Sequence, residues 1–123
     1  MIIHVANFST KIPGKKIAIS NSKPKKSNVP LLKELWPVAA KIIVPPWYLV
    51  DAFKGGKINW EQYKNVYLQQ LAAFDVRRVL CDLGKKLNIE ELVLCCWESE
   101  TDEHCHRKLL YDTLPTSLKG QRL

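Results

Sequence analysis

Short apolar runs along the chain predict three strands, two near the start and one near the end. Residues 2–8 (IIHVANF) form a brief apolar run closed by polar residues, which is typical of a buried strand. Residues 16–20 (KIAIS) predict a second strand, and residues 92–97 (LVLCCW) predict the strongest one. Pro13 and Gly14 mark a turn between the first two strands. That connection is short for a parallel crossover, so a hairpin and an unusual loop both stay open.

Helical spacing of apolar residues fills most of the chain between the second and third strands. Asn59 with Gln62 three residues later is typical of a capping box, and Asp75 is suited to cap the next helix. Asp102 is the expected N-cap of a last helix, which ends before Pro115. The pattern predicts five helices, over residues 31–36, 47–54, 59–74, 76–87 and 103–113.

Strands followed by helices, with one strongly apolar strand, favour a compact three-layer α/β domain over residues 1–115. We expect a small, mostly parallel, Rossmann-like sheet. A chain of 123 residues with 46% hydrophobic residues can bury one core. Residues 116–123 (TSLKGQRL) show no periodicity and are predicted to form a loose tail. Four aromatic residues are expected to pack in the core or at its rim: Trp47, Trp60, Tyr63 and Tyr67.

The net charge of +7 is concentrated in the first quarter of the chain. Residues 1–30 contain six lysines and no acid, whereas the other 93 residues hold 13 basic and 12 acidic residues. Localised positive charge favours anionic partners such as nucleic acid, nucleotides or phosphorylated metabolites. A solvated lysine-rich loop explains the same pattern, so both interpretations stay open. Three of these lysines fall in the polar run after the second strand: Lys23, Lys25 and Lys26.

The sequence predicts a cytoplasmic protein that does not bind a membrane. The first residues lack the basic segment and the apolar length of a signal peptide. No apolar stretch approaches the roughly 18–20 residues needed to span a bilayer. Because cytoplasmic thiols usually stay reduced, the four cysteines do not predict a disulfide framework. Cys81 and Cys95 are expected to be buried as small apolar side chains.

Residues 95–110 (CCWESETDEHCHRKLL) crowd three cysteines and two histidines together. Strand alternation puts Cys96 and Glu98 on one face of the strand and Cys95 on the other. Zinc fits this spacing poorly, since structural zinc sites favour C-x2-C pairs and the chain has none. We therefore expect no metal and no cofactor. A site made from Cys96, Cys105 and one histidine stays as a minor alternative.

An anion site is the second interpretation of this segment. The first turn of a helix exposes unpaired N–H groups, and the Arg107 guanidinium adds a fork suited to phosphate. A strand, a polar loop and a helix start resemble the ligand-binding edge of α/β sheets. The alternative is that Arg107 only pairs with an acid such as Glu103. The other strand ends would add four polar residues to this edge: Asn7, Ser9, Ser20 and Asn21.

Thiol catalysis is the third interpretation. Cys105 at a helix start, beside His106 and Arg107, is expected to have its thiolate favoured by positive potential. Glu98 shares a face with Cys96 and is suited to act as a base or to orient an imidazole. Burial of Cys96 and Cys105 as inert apolar side chains stays an equal alternative.

The segment LVLCCWESETDEHCHRKLL resembles the signature of the domain of unknown function 488 family. In that family a strand ends in Cys-aromatic-Glu, and Cys-His-Arg opens the last helix; Cys96-Trp97-Glu98 and Cys105-His106-Arg107 stand in those places. The stretch from Pro45 to Leu71 is similar to the family's Lys-Gly and Trp-x-x-Tyr pattern. The likeness covers roughly residues 2–115 and implies a cytosolic α/β domain with that polar centre, but it supplies no reaction. Many relatives carry a helix in the first crossover, and the short link here departs from them.

These inferences lead to one main hypothesis and two alternatives. The main one is a protein that binds a phosphate-bearing ligand, a nucleotide or nucleic acid, where the last strand meets the last helix. Arg107 would hold the anion, and Cys96 or Cys105 would carry out thiol chemistry with Glu98 and His106. The alternatives are a non-enzymatic nucleic-acid-binding module that uses the lysine-rich region, and a small metal-stabilised structural domain.

Overall fold

The computed structural model describes residues 1–123 and contains a four-stranded sheet, six α-helices and one 3₁₀ turn. The strands are β1 (Ile2–Asn7), β2 (Lys15–Ala18), β3 (Glu91–Cys96) and β4 (Lys119–Arg122). The helices are α1 (Leu32–Leu35), α2 (Pro37–Ile43), α3 (Trp47–Lys54), α4 (Trp60–Ala72), α5 (Val76–Leu87) and α6 (His106–Thr113). None of the helices is both long and apolar enough to cross a membrane.

The sheet has the order β2-β3-β1-β4, and every strand pair is parallel. Strand β1 pairs with β3 from Ile2↔Glu91 to Asn7↔Cys96, and β3 also pairs with β2 on its other side. A hairpin between the first two strands is therefore wrong, because β3 lies between them. The predicted α/β class, with a small parallel sheet, is confirmed.

The short link of residues 8–14 joins the carboxyl end of β1 to the amino end of β2. Crossovers between parallel strands are right-handed in nearly all proteins. The link runs across the sheet from β1 to β2, whereas the later crossovers, from β2 to β3 and from β3 to β4, run in the opposite direction. If all three are right-handed, the link lies on the face of the sheet opposite the helices. A small apolar cluster from the sheet and the link forms there: Ala6, Val93, Cys95, Phe8 and Ile12.

The main core lies between the other face of the sheet and the helices. Its 23 buried residues include Ile3 and Val5 from β1, Leu92 and Leu94 from β3, and contributions from all six helices. Each fully buried aliphatic side chain stabilises the fold by about 1.5–3 kcal/mol. The three layers are thus helices, sheet and an extended link, since no helix covers the second face.

Two capping predictions for the central helices are confirmed. Asn59 Oδ1 accepts a hydrogen bond from the backbone N–H of Gln62 at 2.8 Å, and Gln62 Oε1 accepts one from the Asn59 N–H at 2.9 Å. Asp75 Oδ1 accepts from the Arg78 N–H at 3.2 Å, which opens α5. Such caps satisfy N–H groups that the helix itself leaves unpaired, so α4 and α5 begin where the sequence predicts.

Two helix predictions need correction. The pattern predicted a helix that ends before Pro37, but Pro37 is the first residue of a further helix, α2. A proline suits this position because the N–H that it lacks would have no partner in the helix. Helix α6 begins at His106 with Cys105 as its N-cap, three residues later than predicted. Asp102 is not the cap: its Oδ1 accepts the His104 N–H at 2.8 Å and closes a turn in the loop before the helix.

The predicted loose tail is also wrong, because the last residues are ordered against the sheet. Residues Thr116–Leu118 form a 3₁₀ turn, and β4 then pairs with the edge of β1. The Leu123 N–H donates to the Val5 carbonyl at 2.8 Å. The backbone supplies these bonds, so a polar segment without apolar periodicity can still complete a sheet edge.

Candidate functional site

A cleft of about 180 Å³ opens at the carboxyl ends of β2 and β3. This is the edge where parallel α/β sheets most often bind ligands. The strand ends supply Ser20, Asn21, Cys96, Trp97 and Glu98 to its lining, and the helical side supplies Trp47, Asp51, Phe53, Lys54, Tyr63, His104 and His106, among others. Ser20, Asn21, Cys96, Glu98 and His106, five of the residues predicted for the site, therefore meet in one place.

The cleft floor contains the Glu98 carboxylate. As predicted from alternation, Cys96 and Glu98 face the helical side, whereas Cys95 packs in the cluster on the opposite face. Burial raises the pKa of Glu98, but the bonds it accepts from its own backbone N–H and from the Cys105 thiol outweigh that effect. The pKa is therefore lowered overall, and Glu98 is ionised at neutral pH.

Cys96 and Cys105 form a buried pair of thiols beneath this floor. Their sulfurs are 2.7 Å apart, and Cys105 Sγ lies 3.3 Å from Glu98 Oε2. The expectation that the Cys105 thiolate would be favoured is wrong. Burial, the contact with Cys96 and the charge of Glu98 together raise the pKa of Cys105, and the nearby Arg107 guanidinium does not offset them. Two thiolates side by side in a dry site would repel each other, so the pair holds at least one proton.

Arg107 is fully buried behind the thiols. Its Nη1 donates to Cys105 Sγ at 2.9 Å and to Cys96 Sγ at 3.4 Å. Its Nη2 donates to the carbonyls of Ser99 and Leu123 at 2.9 Å and 2.7 Å. The guanidinium therefore has no access to an external anion, and it does not line the cleft. Arg107 therefore has neither of its predicted roles. It does not bind an external anion, and it does not pair with Glu103, which bonds to Lys108 and Arg122 instead.

His106 presents a neutral ring nitrogen to the cleft. Its Nε2 lies 2.8 Å from the Ile19 carbonyl, so this nitrogen carries the proton and donates. Burial lowers the pKa of His106 to about 4, despite the opposing effects of the Ile19 bond and Glu98. The Nδ1 atom has no hydrogen-bond partner in the protein, yet no buried side-chain nitrogen or oxygen is unsatisfied. That lone pair therefore opens on the cleft as an acceptor.

Tyr63 brings a second unpartnered polar atom. The residue is only 3% exposed and lines the cleft, and its hydroxyl makes no hydrogen bond within the protein. Burial raises the pKa of Tyr63 far above its usual value, so the phenol stays neutral and can donate. Trp60 stacks on Tyr63 with ring centres 5.4 Å apart and on His104 at 4.6 Å. This stack fixes the orientation of the Tyr63 ring.

Exposed aromatic side chains form the outer walls of the cleft. Trp47 is 65% exposed and Trp97 is 49% exposed, which is unusual for such large apolar side chains. The Trp97 Nε1–H donates to the Ser22 carbonyl at 3.0 Å, so it ties the start of the lysine-rich loop to the cleft rim. Lys54 contributes the cleft's positive charge, and Asp51 contributes a second negative charge besides Glu98.

Cys96, Cys105 and His106 also form a set of potential metal ligands within 4.8 Å of one another. Two thiolates bound to one zinc ion lie about 3.8 Å apart, since each Zn–S bond is about 2.3 Å long. The two sulfurs here are closer than that, and the Arg107 guanidinium contacts both. The donor types thus suit zinc, but the spacing and the adjacent positive charge do not.

Several predicted site residues lie outside the cleft. Asn7 pairs with Cys96 at the sheet edge, but its Oδ1 accepts the backbone N–H groups of Ser9 and Thr10 at 3.0 Å and 2.8 Å. Asn7 and Ser9 therefore shape the start of the link and do not reach the cleft. The remaining three, Lys23, Lys25 and Lys26, lie on the loop that follows the Ser22 anchor and do not line the cleft.

Sequence reasoning did not assign ten of the lining residues to the site: Ser22, Pro45, Trp47, Val50, Asp51, Phe53, Lys54, Tyr63, Trp97 and His104. Trp47 and Tyr63 were predicted to pack in the core or at its rim, and Tyr63 is buried whereas Trp47 is 65% exposed. A signal for two of them was present, since Lys54 and Tyr63 occupy the Lys-Gly and Trp-x-x-Tyr positions of the family resemblance. Nothing local indicates that α3 and α4 turn these side chains toward β3.

Comparison with known proteins identifies one family. The family described as DUF488-N3a, the active DUF488-N3 subclade, matches residues 2–118. The match includes β1, β2, β3, all six helices and every residue that lines the cleft, and it ends just before β4. No curated protein and no solved structure matches the chain.

Proposed function

This chain belongs to the DUF488 family, and we propose that its cleft binds the base of a nucleotide or nucleic acid and acts on it through thiol chemistry. The observation that carries the proposal is the cleft floor. The Tyr63 hydroxyl and His106 Nδ1 make no hydrogen bond within the protein, and the Glu98 carboxylate can accept further hydrogen bonds. Aromatic side chains form the walls above these atoms. Apolar and aromatic walls with a few polar groups are typical of pockets that bind small molecules such as a planar heterocycle.

The chemistry of these atoms supports a nucleobase as the ligand. Tyr63 is a donor, His106 Nδ1 is an acceptor and Glu98 is an acceptor, and base edges carry both donors and acceptors. The cleft of about 180 Å³ is smaller than the 300–1,000 Å³ typical of drug-sized ligands. It therefore suits one base, with the phosphate outside.

The phosphate would meet positive charge at the cleft mouth. Lys54 lines the cleft and makes no ion pair within 4.0 Å. The loop that carries Lys23, Lys25 and Lys26 starts at the rim anchored by Trp97. In this proposal these lysines, and not Arg107, attract the anion. Arg107 acts from behind, where it orients the two thiols.

Cys96 is the proposed nucleophile, because it lines the cleft and its sulfur contacts both Arg107 and Cys105. Its sulfur forms a bond to an electrophilic carbon of the bound ligand. The Cys96 proton passes to the Cys105 sulfur as the Cys105 thiol gives its own proton to Glu98. The displaced electron pair moves onto a ligand atom that the Tyr63 hydroxyl can hydrogen-bond. Hydrogen bonds from donors such as Arg107 stabilise a sulfur anion during this step.

The test is a titration with mononucleotides that follows tryptophan fluorescence. We expect a bound nucleotide to quench Trp47 or Trp97, which are exposed at the cleft. Glu98→Gln and Tyr63→Phe should each weaken binding about tenfold, since each removes one hydrogen bond to the ligand. Cys81→Ser is the matched control and should bind normally, because Cys81 lies on α5 away from the cleft. Binding that ignores both cleft variants would reject the proposal.

A metal-stabilised domain is a second candidate, favoured only by the proximity of Cys96, Cys105 and His106. Elemental analysis of protein purified without chelators tests it. Stoichiometric zinc that is lost in Cys105→Ser but kept in Cys81→Ser would establish this function. Zinc well below one ion per chain would eliminate it.

A further inference from the structure

A second cavity of about 350 Å³ continues the cleft along the protein surface. It shares Asn21, Pro45 and Trp47 with the cleft, so Trp47 stands between the two. We name this cavity the side groove. Its remaining lining comes from the helical side of the sheet: Lys33, Pro37, Ala40, Lys41, Val44 and Pro46.

The side groove has a positive charge that no acid neutralises. Its only charged lining residues are Lys33 and Lys41, and both are exposed. Lys33 Nζ donates to the Asn21 carbonyl at 2.6 Å, which holds the ammonium group at the border with the cleft. Neither lysine makes an ion pair within 4.0 Å. An uncompensated pair of cations beside a cleft attracts a polyanion.

Aromatic surface accompanies this charge. Trp47 and Tyr48 are 65% and 62% exposed, and their rings contact each other edge to face at 6.1 Å. Pro45 and Pro46 precede them and have no backbone N–H, so they hold this corner rigid and leave its surface without main-chain donors. Exposed aromatic rings interleaved with lysines are the features by which proteins bind single-stranded nucleic acid.

We infer that the substrate is single-stranded nucleic acid, with one base in the cleft, a neighbouring base stacked on Trp47 and the phosphates along Lys33 and Lys41. This inference rests on the proposed function, because it extends the same cleft. A base inside an intact duplex cannot enter a recessed floor without leaving its stack, so an unpaired strand is the favoured form. The side groove would be superfluous for a mononucleotide, whose single phosphate already lies at the cleft mouth.

The experiment measures fluorescence anisotropy of labelled eight-nucleotide DNA and RNA strands, of the matching duplex and of a labelled mononucleotide. Single strands should bind at least tenfold more tightly than the mononucleotide or the duplex. The double variant Lys33→Ala/Lys41→Ala should weaken single-strand binding about tenfold and leave mononucleotide affinity unchanged. It should also reduce the slope of log affinity against log salt by about 1.4, the value for two phosphates on a single strand. Trp47→Ala should weaken single-strand binding about fivefold or more.

The matched control is Lys15→Ala/Lys85→Ala, which removes the same charge at the opposite edge of the sheet. Lys15 begins β2, and Lys85 lies near the end of α5; both are exposed and neither lines the cleft or the side groove. We expect this variant to change affinity less than twofold. If both double variants lost single-strand affinity equally, the side groove would be rejected as the binding surface, because the loss would then depend only on net charge.

The outcomes separate this inference from the function on which it rests. Mononucleotide binding with no gain for longer strands would reject the side groove and keep the cleft. Duplex binding as tight as that of the single strand would also reject the inference. Absence of binding by every nucleotide and strand would reject the proposed function itself. The DNA and RNA strands, compared at equal length and salt, show which of the two the protein prefers.

Discussion

The cleft and the C-terminal side of the molecule differ in whether their polar and charged groups bond to one another. On the C-terminal side, Glu103 bonds to Lys108 at 2.7 Å and to Arg122 at 2.8 Å, and Arg122 also bonds to Asp112 at 2.9 Å. These groups satisfy one another and hold β4 against α6. Around the cleft, polar atoms of Tyr63 and His106 lack protein partners.

The same contrast separates the positive charges. Lys108 on α6 and Arg122 on β4 are paired with acids, whereas the lysines at the cleft, the side groove and the loop make no ion pair within 4.0 Å. Paired charges can stabilise a fold but have little left to offer a ligand. Polar groups that converge on one cleft without protein partners, and that are not sealed from solvent, stay available to a ligand. The contrast therefore distinguishes a structural polar network from a candidate site.

Removing Arg107 should cause the largest loss, because it is the polar group that both regions share. The Arg107→Met variant would leave the Leu123 carbonyl without a donor inside the protein, and the Ser99 carbonyl would keep only the Asp102 N–H. We expect the free energy of unfolding to fall by about 2–4 kcal/mol, because the Leu123 carbonyl and both thiols lose a charged donor and each buried group left unpaired costs about 1–3 kcal/mol. Urea unfolding followed by circular dichroism measures it. A loss below about 1 kcal/mol would show that Arg107 is not structural.

Oxidation should link the two buried thiols of the site and no others. Diamide takes two hydrogen atoms from Cys96 and Cys105 as their sulfurs join, which the short distance between them favours. The count of titratable thiols in denaturant should fall from four to two. The closed loop should add about 2–3 kcal/mol to stability in the chain-entropy model.

Two variants control the oxidation experiment. In Cys105→Ser the intramolecular link cannot form, so the three remaining thiols should all persist in dilute protein. In Cys95→Ser the link should form as in the native chain, because Cys95 points to the opposite face of the sheet. Peptide mapping that places the bond on Cys81 or Cys95 would contradict the arrangement of the site.

Lowering the pH should weaken the cleft before it affects the C-terminal ion pairs. Burial lowers the pKa of His106 to about 4, whereas an unfolded histidine titrates near 6.5. Between these values the unfolded chain binds more protons, so stability rises with pH and falls as the pH drops from 6.5 toward 4. We expect a loss of about 2 kcal/mol between pH 7 and pH 5.

The Glu103 carboxylate, which joins two of these ion pairs, responds at lower pH. Hydrogen bonds from Lys108 and Arg122 lower the pKa of Glu103 to about 2, so it stays ionised throughout this window. Urea midpoints of the native chain and of His106→Gln, measured from pH 7 to pH 5, isolate the histidine. The variant should lose most of the dependence, while His104→Gln, which alters an exposed ring, should keep it.

Breaking an ion pair on the C-terminal side should have the smallest effect. Arg122→Ala removes bonds to Glu103 and Asp112, but all three side chains are substantially exposed. Exposed ion pairs contribute little, so we expect the melting temperature to fall by no more than about 4 °C. Nucleotide affinity should not change. A larger fall, accompanied by loss of β4, would mean that the two regions are coupled through the sheet edge.

Much of this molecule follows from local patterns in its sequence. Alternation along residues 92–97 places Cys96 and Glu98 on one face, because a strand repeats every two residues. The capping residues Asn59 and Asp75 specify where α4 and α5 begin, since they satisfy N–H groups only a few residues away. The Cys-His-Arg signature likewise identified the family and the centre of the site.

Only the tertiary structure decided which of these residues face a ligand. Arg107 became a buried support because its acceptors, the Ser99 and Leu123 carbonyls, come from the loop before α6 and from the residue after β4, which meet only when β4 joins the sheet. The last residues became a strand because β1 offered an open edge, and Tyr63 became part of the cleft because α4 packs against α3 and α6. Periodicity and capping act over a few residues, whereas burial depends on segments that meet only after folding. Local patterns in the sequence therefore determined most of the helices and strands, and the packing of distant segments decided the last strand and which groups line the cleft.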